Sequence, residues 1–240
     1  MRRRHAHRVL LAAVVIAVAA VAALGWQPAE SCAGDCVRYV AIGDSYTIGQ
    51  GVPEAERWPD LLAAALNEKG YAVELVANPS VTGWTAADAL EREVPVLAEA
   101  GAEFVTVQIG VNDWVQGVPA PAFRERFAKL LDAIRKELPD PQNVLVVTVP
   151  DFSAAPAGVQ YGGGRDVTRG IAEFNAIIEQ EAHGRGLETA DVFGVSQVGR
   201  NRLDFVAGDG LHPSGAQYAA WVEVIAPVAE RVLSAPSGAA

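Results

Sequence analysis

The sequence predicts a single α/β domain built on about five parallel strands. From Val37 onward, short runs rich in β-branched residues alternate with longer stretches of helical periodicity. These runs are apolar throughout, which is typical of strands buried on both faces of a parallel sheet. A chain of 240 residues, half of them hydrophobic, is long enough for one buried core and short for two. The expected architecture is therefore a three-layer α/β/α domain.

Each element is predicted from its own stretch of sequence. The predicted strands are Val37–Ile42, Ala72–Ala77, Phe104–Ile109, Val144–Val149 and Leu187–Val192. The predicted helices are Arg57–Lys69, Ala86–Ala98, Pro121–Leu138, Asp166–Gly184 and Ser214–Leu233. Pro121 and Ser214 are favourable helix starts, whereas Gly70 and Gly184 are favourable helix ends. This alternation indicates a flavodoxin-like sheet, whose ligands bind at the carboxyl ends of the strands.

The first 31 residues differ in composition from the rest. Four arginines precede an uncharged run of 18 residues from Val9 to Trp26. At about 1.5 Å per residue this run barely crosses a hydrocarbon core, so its length allows either a cleaved signal or an anchor. We expect residues 1–31 to be a signal peptide or N-terminal membrane anchor, and residues 32–240 to form the domain. The protein is then exported, and is either secreted or held at the outer face of the cytoplasmic membrane.

The charge balance disfavours several classes of partner. Residues 1–31 hold four of the 19 Lys and Arg and one of the 29 Asp and Glu, so the remainder carries a formal net charge of −13. An acidic domain without a basic stripe is a poor binder of nucleic acid or anionic lipid. We therefore expect no nucleic-acid partner, and membrane contact only through the N-terminal segment. No phosphate-loop or H-E-x-x-H motif occurs, and we expect neither a cofactor nor a metal.

Only two cysteines occur, Cys32 and Cys36, just after the apolar run. In an oxidising compartment a small local disulfide is the natural interpretation, and it would tether the N-terminal tail. Metal binding by a single cysteine pair is a weaker alternative.

Histidine is scarce enough to narrow the choice of a general base. Outside the N-terminal segment only His183 and His212 occur. A cation at a helix C-terminus explains His183. Taken by itself, His212 is interpreted as an exposed loop residue. However, Asp209 precedes it by three residues, with a glycine between them. The loop can then fold back so that the carboxylate meets the imidazole and fixes its tautomer.

Candidate partners for His212 follow the first three strands. Ser45 comes directly after the first strand, where it is either a nucleophile or a helix N-cap. No G-x-S-x-G motif occurs in the chain. Gly83 follows the second strand and Asn112 the third, as possible oxyanion donors or simply as turn residues. Each of these residues taken singly is weak evidence.

Taken in order, the four turns are specific. They read Gly43-Asp44-Ser45-Tyr46, then Gly83, then Gly110-Val111-Asn112-Asp113, then Asp209-Gly210-Leu211-His212-Pro213. In this order the sequence resembles the SGNH hydrolases, also called the GDSL lipase/esterase family. Tyr46 stands where leucine is commonest in that family. The resemblance runs from about Val37 to the final helix.

The resemblance implies a role for each matching position. Ser45 would attack an ester carbonyl, His212 would remove its proton and Asp209 would orient His212. The backbone N–H groups of Ser45 and Gly83 and the side-chain amide of Asn112 would hold the oxyanion. Nucleophilic catalysis by serine requires such a base in any case, because an unassisted serine hydroxyl is a weak nucleophile.

Four further residues beside these turns have two interpretations each. Asp44 and Asp113 are expected to brace loops rather than to act in catalysis. Trp84 and Trp114 flank the oxyanion positions, and they either wall an acyl pocket or belong to the core.

The leading hypothesis is an exported serine ester hydrolase of the esterase or lipase type, which acts through an acyl-serine on a small-molecule or glycan ester. On this hypothesis the substrate is a lipid, a short acyl ester or an acetylated glycan. One alternative is a deacetylase or O-acyltransferase acting on cell-envelope polysaccharide. Another is a carbohydrate- or lipid-binding module that has kept the fold without catalysis. The sequence gives no indication of acyl-chain length or oligomeric state.

Overall fold

The central sheet of the protein has five strands in a computed structural model that describes residues 36–235. In chain order the strands are β1 (Val37–Gly43), β2 (Val73–Ala77), β3 (Phe104–Gln108), β4 (Val144–Val147) and β5 (Glu188–Ala190). Their order in the sheet is β2-β1-β3-β4-β5, and all neighbours are parallel. This is the flavodoxin-like order, so the predicted fold class is confirmed.

Helices cover the sheet on both faces. They are α1 (Trp58–Glu68), α2 (Ala86–Asp88), α3 (Val94–Ala100), α4 (Val111–Val115), α5 (Ala120–Glu137), α6 (Val167–His183), α7 (Phe193–Val198) and α8 (Gly215–Ser234). Helix α1 packs against α8, and α5 packs against α3 and α6. Every residue of β3 and β4 is buried between these layers, as their continuous apolar runs predict. No helix between residues 36 and 235 is long and apolar enough to cross a membrane.

The predicted N-terminal segment and Cys32 lie outside the described residues. Export and a Cys32–Cys36 disulfide therefore stay predictions. Cys36 directly precedes β1, and its Sγ lies 3.6 Å from Oε2 of Glu74.

The helix predicted over Ala86–Ala98 has three parts. Helix α2 begins with a capping box between Thr85 and Asp88, and a π-helical segment at Ala89–Glu93 joins it to α3. Pro95 has no N–H to donate to the carbonyl four residues earlier, so a regular α-helical ladder cannot run through this stretch. The chain instead makes the wider turn in which the N–H of Val94 donates to the carbonyl of Ala89. Periodicity alone did not predict this widening.

Strands β4 and β5 are shorter than predicted because side chains replace strand partners beyond their ends. The N–H of Val192 donates to Oγ1 of Thr148 at 2.9 Å. The amide of Asn175, on α6, bonds both the N–H and the C=O of Val149, each at 2.8 Å. The backbone groups stay satisfied while the regular ladder stops.

The loop after β4 is anchored by one buried carboxylate. The Asp151 side chain is fully buried and lies 2.8 Å from the guanidinium of Arg200. It also accepts hydrogen bonds from the hydroxyls of Ser153 and Thr168 and from the amide of Gln197. Burial disfavours the ionised form of Asp151 and so raises its pKa. The hydrogen bonds have the larger effect and hold the pKa of Asp151 below its ordinary value. The carboxylate therefore ties this loop to α6 and to the chain after α7.

Asp151→Asn is expected to lower the free energy of unfolding by about 1–3 kcal/mol, because an amide cannot accept all of these donors. Urea unfolding followed by circular dichroism measures the change. Asp132→Asn is the control, since Asp132 is half exposed and Arg185 also pairs with Glu181. This control should cost about 0–1 kcal/mol. Equal losses in the two variants would contradict the assigned role of Asp151.

Candidate active site

The turn after β1 presents Ser45 at the carboxyl edge of the sheet. Ser45 is 6% exposed, and its neighbour Asp44 is 1% exposed. The Asp44 carboxyl accepts the N–H of Tyr46 at 3.0 Å, while its backbone carbonyl accepts the N–H of Ile48 at 2.9 Å. The N–H of Thr47 also donates to that carbonyl at 3.1 Å, so three hydrogen bonds to Asp44 hold the turn that contains Ser45.

The loop before α8 is a tight, closed structure that contains Asp209 and His212. An antiparallel bridge joins Val206 to Pro213, and the N–H of Ala207 donates to the carbonyl of His212 at 2.8 Å. Gly210, between the two polar residues, has φ of 75°, a conformation that favours glycine. The loop therefore folds back on itself, as its D-G-x-H spacing predicts.

Within this loop Asp209 and His212 meet directly. One carboxylate oxygen, Oδ2, lies 2.6 Å from Nδ1 of His212. The other, Oδ1, accepts the N–H groups of Leu211 at 2.9 Å and His212 at 3.0 Å. Partial burial favours the neutral acid, but these three hydrogen bonds outweigh it and hold the pKa of Asp209 below its ordinary value. Asp209 is therefore a carboxylate at neutral pH, with each oxygen committed to a different partner.

Tyr46 brings the Ser45 turn and the His212 loop into contact. Its ring centroid lies 5.3 Å from that of His212 and 6.3 Å from that of Trp221 on α8. Both Tyr46 and His212 are about 95% buried. The residue directly after Ser45 thus packs against the imidazole, and this contact joins the first predicted block to the last.

Asn112 connects the other predicted blocks. Its Nδ2 donates to Oδ2 of Asp44 at 3.1 Å and to the carbonyl of Trp84 at 2.9 Å. Asp44 directly precedes Ser45, and Trp84 directly follows Gly83. Gly83 itself is exposed and has φ of 86°, and an added Cβ would meet no atom within 4 Å. The positive φ, rather than crowding, is therefore what favours glycine there.

The carboxyls beside these turns brace them. Burial is the main cause that raises the pKa of Asp44 to about 7; the nearby Asp113 also raises it, while hydrogen bonds from Tyr46 and Asn112 oppose the rise. The Asp113 side chain is fully buried and accepts the N–H of Ala86 at 2.8 Å, at the start of α2. Both residues act as acceptors within the loops, as expected from the sequence.

The two candidate pocket tryptophans have different surroundings. Trp84 is partly exposed, with the guanidinium of Arg92 5.5 Å from its ring. Trp114 is 6% exposed and lies edge-on to Phe152, with the guanidinium of Arg165 3.9 Å from its ring. A Cβ on Gly170 of α6 would lie 2.0 Å from Nε1 of Trp114. Trp114 of α4 thus packs against α6 and Phe152, and Trp84 has the more open position.

Sequence reasoning missed two contacts of the site. Tyr46 drew notice only as a departure from the family pattern, although its ring packs on His212. The N–H of Ala157, in the loop after β4, donates to the carbonyl of Gly210 at 2.8 Å, so this loop lies against the His212 loop. The aromatic side chain directly after the candidate nucleophile could have signalled the contact of Tyr46 with His212. No local sequence pattern marks the contact of Ala157 with Gly210.

The second candidate histidine, His183, lies apart from this cluster. His183 ends α6, and its Nε2 lies 3.2 Å from Oγ1 of Thr189 on β5. Over residues 36–235, no group of three or more His, Cys, Asp or Glu is placed to hold a metal ion.

The arrangement has the parts that nucleophilic catalysis needs. A serine hydroxyl lies at a strand end, and a carboxylate-oriented imidazole packs against the next residue. The amide of Asn112 contacts the residue before Ser45 and the residue after Gly83. The sequence blocks that are far apart in the chain therefore meet at one edge of the sheet.

Comparison with known proteins agrees with this arrangement. Residues 41–220 match the sequence profile of the GDSL-like Lipase/Acylhydrolase family. An arylesterase of Vibrio mimicus and Esterase TesA of Pseudomonas aeruginosa are each 30% identical over 98 residues, which are 41% of this chain and 48% of the relative. The matched part thus spans about half the length of these curated relatives. A crystal structure of TesA superposes with a TM-score of 0.64 at 25% identity, covering 81% of this chain and 99% of that one.

Proposed function

Since the chain belongs to the GDSL-like lipase/acylhydrolase family, we propose that it is a serine ester hydrolase with Ser45 as nucleophile, His212 as general base and Asp209 as the residue that orients His212. The observation that carries the proposal is the 2.6 Å contact between Asp209 and His212, beside the turn that presents Ser45. Such an oriented imidazole is what a serine hydroxyl needs to become nucleophilic.

The contact to Asp209 determines which imidazole nitrogen acts as the base. Because Oδ2 of Asp209 faces Nδ1 of His212, that nitrogen carries the hydrogen, and Nε2 is left with a free lone pair. Nε2 therefore takes the proton of the Ser45 hydroxyl, and the imidazolium that forms is stabilised by the adjacent carboxylate.

The reaction proceeds in two halves. Oγ of Ser45 forms a bond to the ester carbonyl carbon while its proton passes to Nε2 of His212. The carbonyl oxygen becomes an oxyanion held by the N–H groups of Ser45 and Gly83 and by the amide of Asn112. The C–O bond to the alcohol then breaks, and His212 returns the proton to the alcohol. Water repeats the sequence on the acyl-serine and releases the acid.

We also propose an exported location and a small-molecule or glycan ester as substrate. Export rests on the basic and then apolar pattern of residues 1–31. The absence of a basic stripe, together with the acidic charge, favours uncharged esters over polyanionic ones.

The direct test is covalent labelling of the full-length chain with a fluorophosphonate, followed by peptide mass spectrometry, with parallel hydrolysis of p-nitrophenyl esters of increasing acyl length. An adduct on Ser45 together with ester turnover is the expected result. An adduct without turnover of these esters would indicate a glycan deacetylase or acyltransferase. No adduct at all would support a binding module and overturn the proposal.

Asn112→Ala is expected to lower kcat by a factor of about 10²–10³ with little change in KM, because the amide contributes mainly as the oxyanion forms. Steady-state hydrolysis of p-nitrophenyl acetate measures it. Gln116→Ala is the matched control: its exposed amide, also at α4, bonds the carbonyl of Gly83 at 3.4 Å. If both variants lose similar activity, the loss reflects the shape of the turn and not an oxyanion donor.

A further inference from the structure

The carboxyl end of β1 lacks a strand neighbour on one side. The pairing of β1 with β2 ends at Val40, opposite Ala77. On its other side β1 stays paired with β3 as far as Gly43, opposite Gln108. The last three residues of β1 therefore expose backbone groups towards the place where β2 would continue. Buried groups of this kind must find other partners.

Two buried side chains supply those partners. Oγ of Ser80 donates to the carbonyl of Ala41 at 3.3 Å. Oε2 of Glu93 accepts the N–H of Gly43 at 2.9 Å. A carbonyl and the N–H two residues later point to the same side of a parallel strand, so the two side chains occupy the place of one missing strand residue. Ser80 and Glu93 thus hold the last residues of β1 before Ser45.

Glu93 is an unusual choice for this position. Its side chain is fully buried, and its only hydrogen bond within residues 36–235 is the one from the N–H of Gly43. Its second oxygen, Oε1, is buried with no hydrogen-bond partner among residues 36–235. Glutamate is almost never fully buried without a partner, and a leucine would fill the same space at lower cost. The one contact that a leucine could not make is the hydrogen bond to Gly43.

The π-helical segment is what directs Glu93 towards β1. Glu93 is its last residue, and Glu91 and Arg92 in the same segment are exposed. Burial raises the pKa of Glu93 to about 8; the hydrogen bond from Gly43 opposes this rise, and the charges of Asp44 and Asp88 add to it. The group is therefore mostly a neutral acid at pH 7, whose carbonyl oxygen accepts the N–H.

We propose that Glu93 is a positioning residue for Ser45, which fixes the end of β1 by holding the N–H of Gly43. The inference rests on the proposed function, because it requires Ser45 to be the nucleophile. Gly43 is two residues before Ser45 and cannot move sideways freely, since even a Cβ there would lie 2.1 Å from Oγ1 of Thr47. A shift of about 1 Å in a reacting group can cost about 100-fold in rate.

The test compares two substitutions of Glu93 in the full-length chain. Glu93→Gln keeps an acceptor for Gly43 and imitates the neutral acid, whereas Glu93→Leu fills the space and removes the acceptor. Glu93→Leu should lower both kcat for p-nitrophenyl acetate and the rate of fluorophosphonate labelling by about 10–100-fold, with KM changed less than about 3-fold. Glu93→Gln should recover most of that loss. Glu91→Leu and Glu91→Gln are the matched controls, because Glu91 is an exposed residue of the same segment.

Hydrogen exchange at the Gly43 amide provides a readout that does not depend on catalysis. It should be protected in the wild type and in Glu93→Gln and should exchange faster in Glu93→Leu, at a temperature where all three are folded. Wild-type kcat and labelling in a folded Glu93→Leu, or equal losses in both variants, would overturn the inference alone. A wild-type chain without any Ser45 adduct would overturn the proposed function and this inference with it.

Discussion

Ser45→Ala is expected to reduce kcat for ester hydrolysis by a factor of about 10⁴–10⁶ while the protein stays folded. The reason is that no acyl-enzyme can form without the hydroxyl, and the remaining rate comes from substrate binding and oxyanion donors alone. Folding should be unaffected, because the Ser45 carbonyl, which accepts the N–H of Gln50 at 2.9 Å, is unchanged. Hydrolysis of p-nitrophenyl acetate and the melting temperature measure the two expectations.

A surface serine provides the control for this variant. Ser234 is exposed at the end of α8, where its hydroxyl lies 2.9 Å from that of Tyr71, its one hydrogen-bond partner within residues 36–235. Ser234→Ala should keep the wild-type rate. A Ser45→Ala protein that retained more than about one-tenth of the wild-type activity would remove Ser45 as the nucleophile.

Asp209→Asn is expected to lower kcat by about 10³–10⁴-fold, although only one atom changes. Two backbone N–H groups point at Oδ1 of this residue, so an asparagine must place its carbonyl oxygen there. Its NH₂ group then faces Nδ1 of His212 and donates to it. The imidazole is forced to carry its hydrogen on Nε2, where it can no longer take the proton of Ser45.

The comparison variant for this prediction is Asp204→Asn. Asp204 lies in the same segment between β5 and α8, but it is exposed and pairs with Arg202. Its replacement should leave kcat and the labelling rate within about 2-fold, because exposed ion pairs contribute little. If Asp209→Asn kept its rate to within 10-fold, the carboxylate would not be setting the tautomer of His212.

The fold was predictable because apolar runs and helical periodicity persist along the whole domain. The ends of the strands were less predictable, since they depend on side chains from distant elements. Thr148 and Asn175 close the ends of β4 and β5 in this way. The end of α6 shows the same limit: Gly184 has ordinary helical φ, and Gly186 takes the left-handed conformation instead.

The candidate site was predictable where its chemistry is local. The pairing of Asp209 with His212 follows from a three-residue spacing with a glycine, and the structure contains that contact. The contact of Tyr46 with His212 joins residues 166 positions apart in the chain, and the only local sign of it is an aromatic residue directly after the candidate nucleophile. The carboxyl of Glu93 was hidden for a different reason. It is one charged residue in a charged stretch, and only the widened helical turn shows that it points inward.

The amide of Asn112 has a consequence for inhibitors. In the free protein both of its hydrogens already have acceptors, the carboxyl of Asp44 and the carbonyl of Trp84. An uncharged ester carbonyl gains little by displacing either one, whereas an oxygen with a full negative charge competes strongly for an N–H donor. As the proposed oxyanion donor, the amide would therefore discriminate against the resting substrate and favour the tetrahedral species. Boronates, which become tetrahedral anions when they bond a serine hydroxyl, should bind this protein far more tightly than unactivated ketones of the same shape, which stay uncharged.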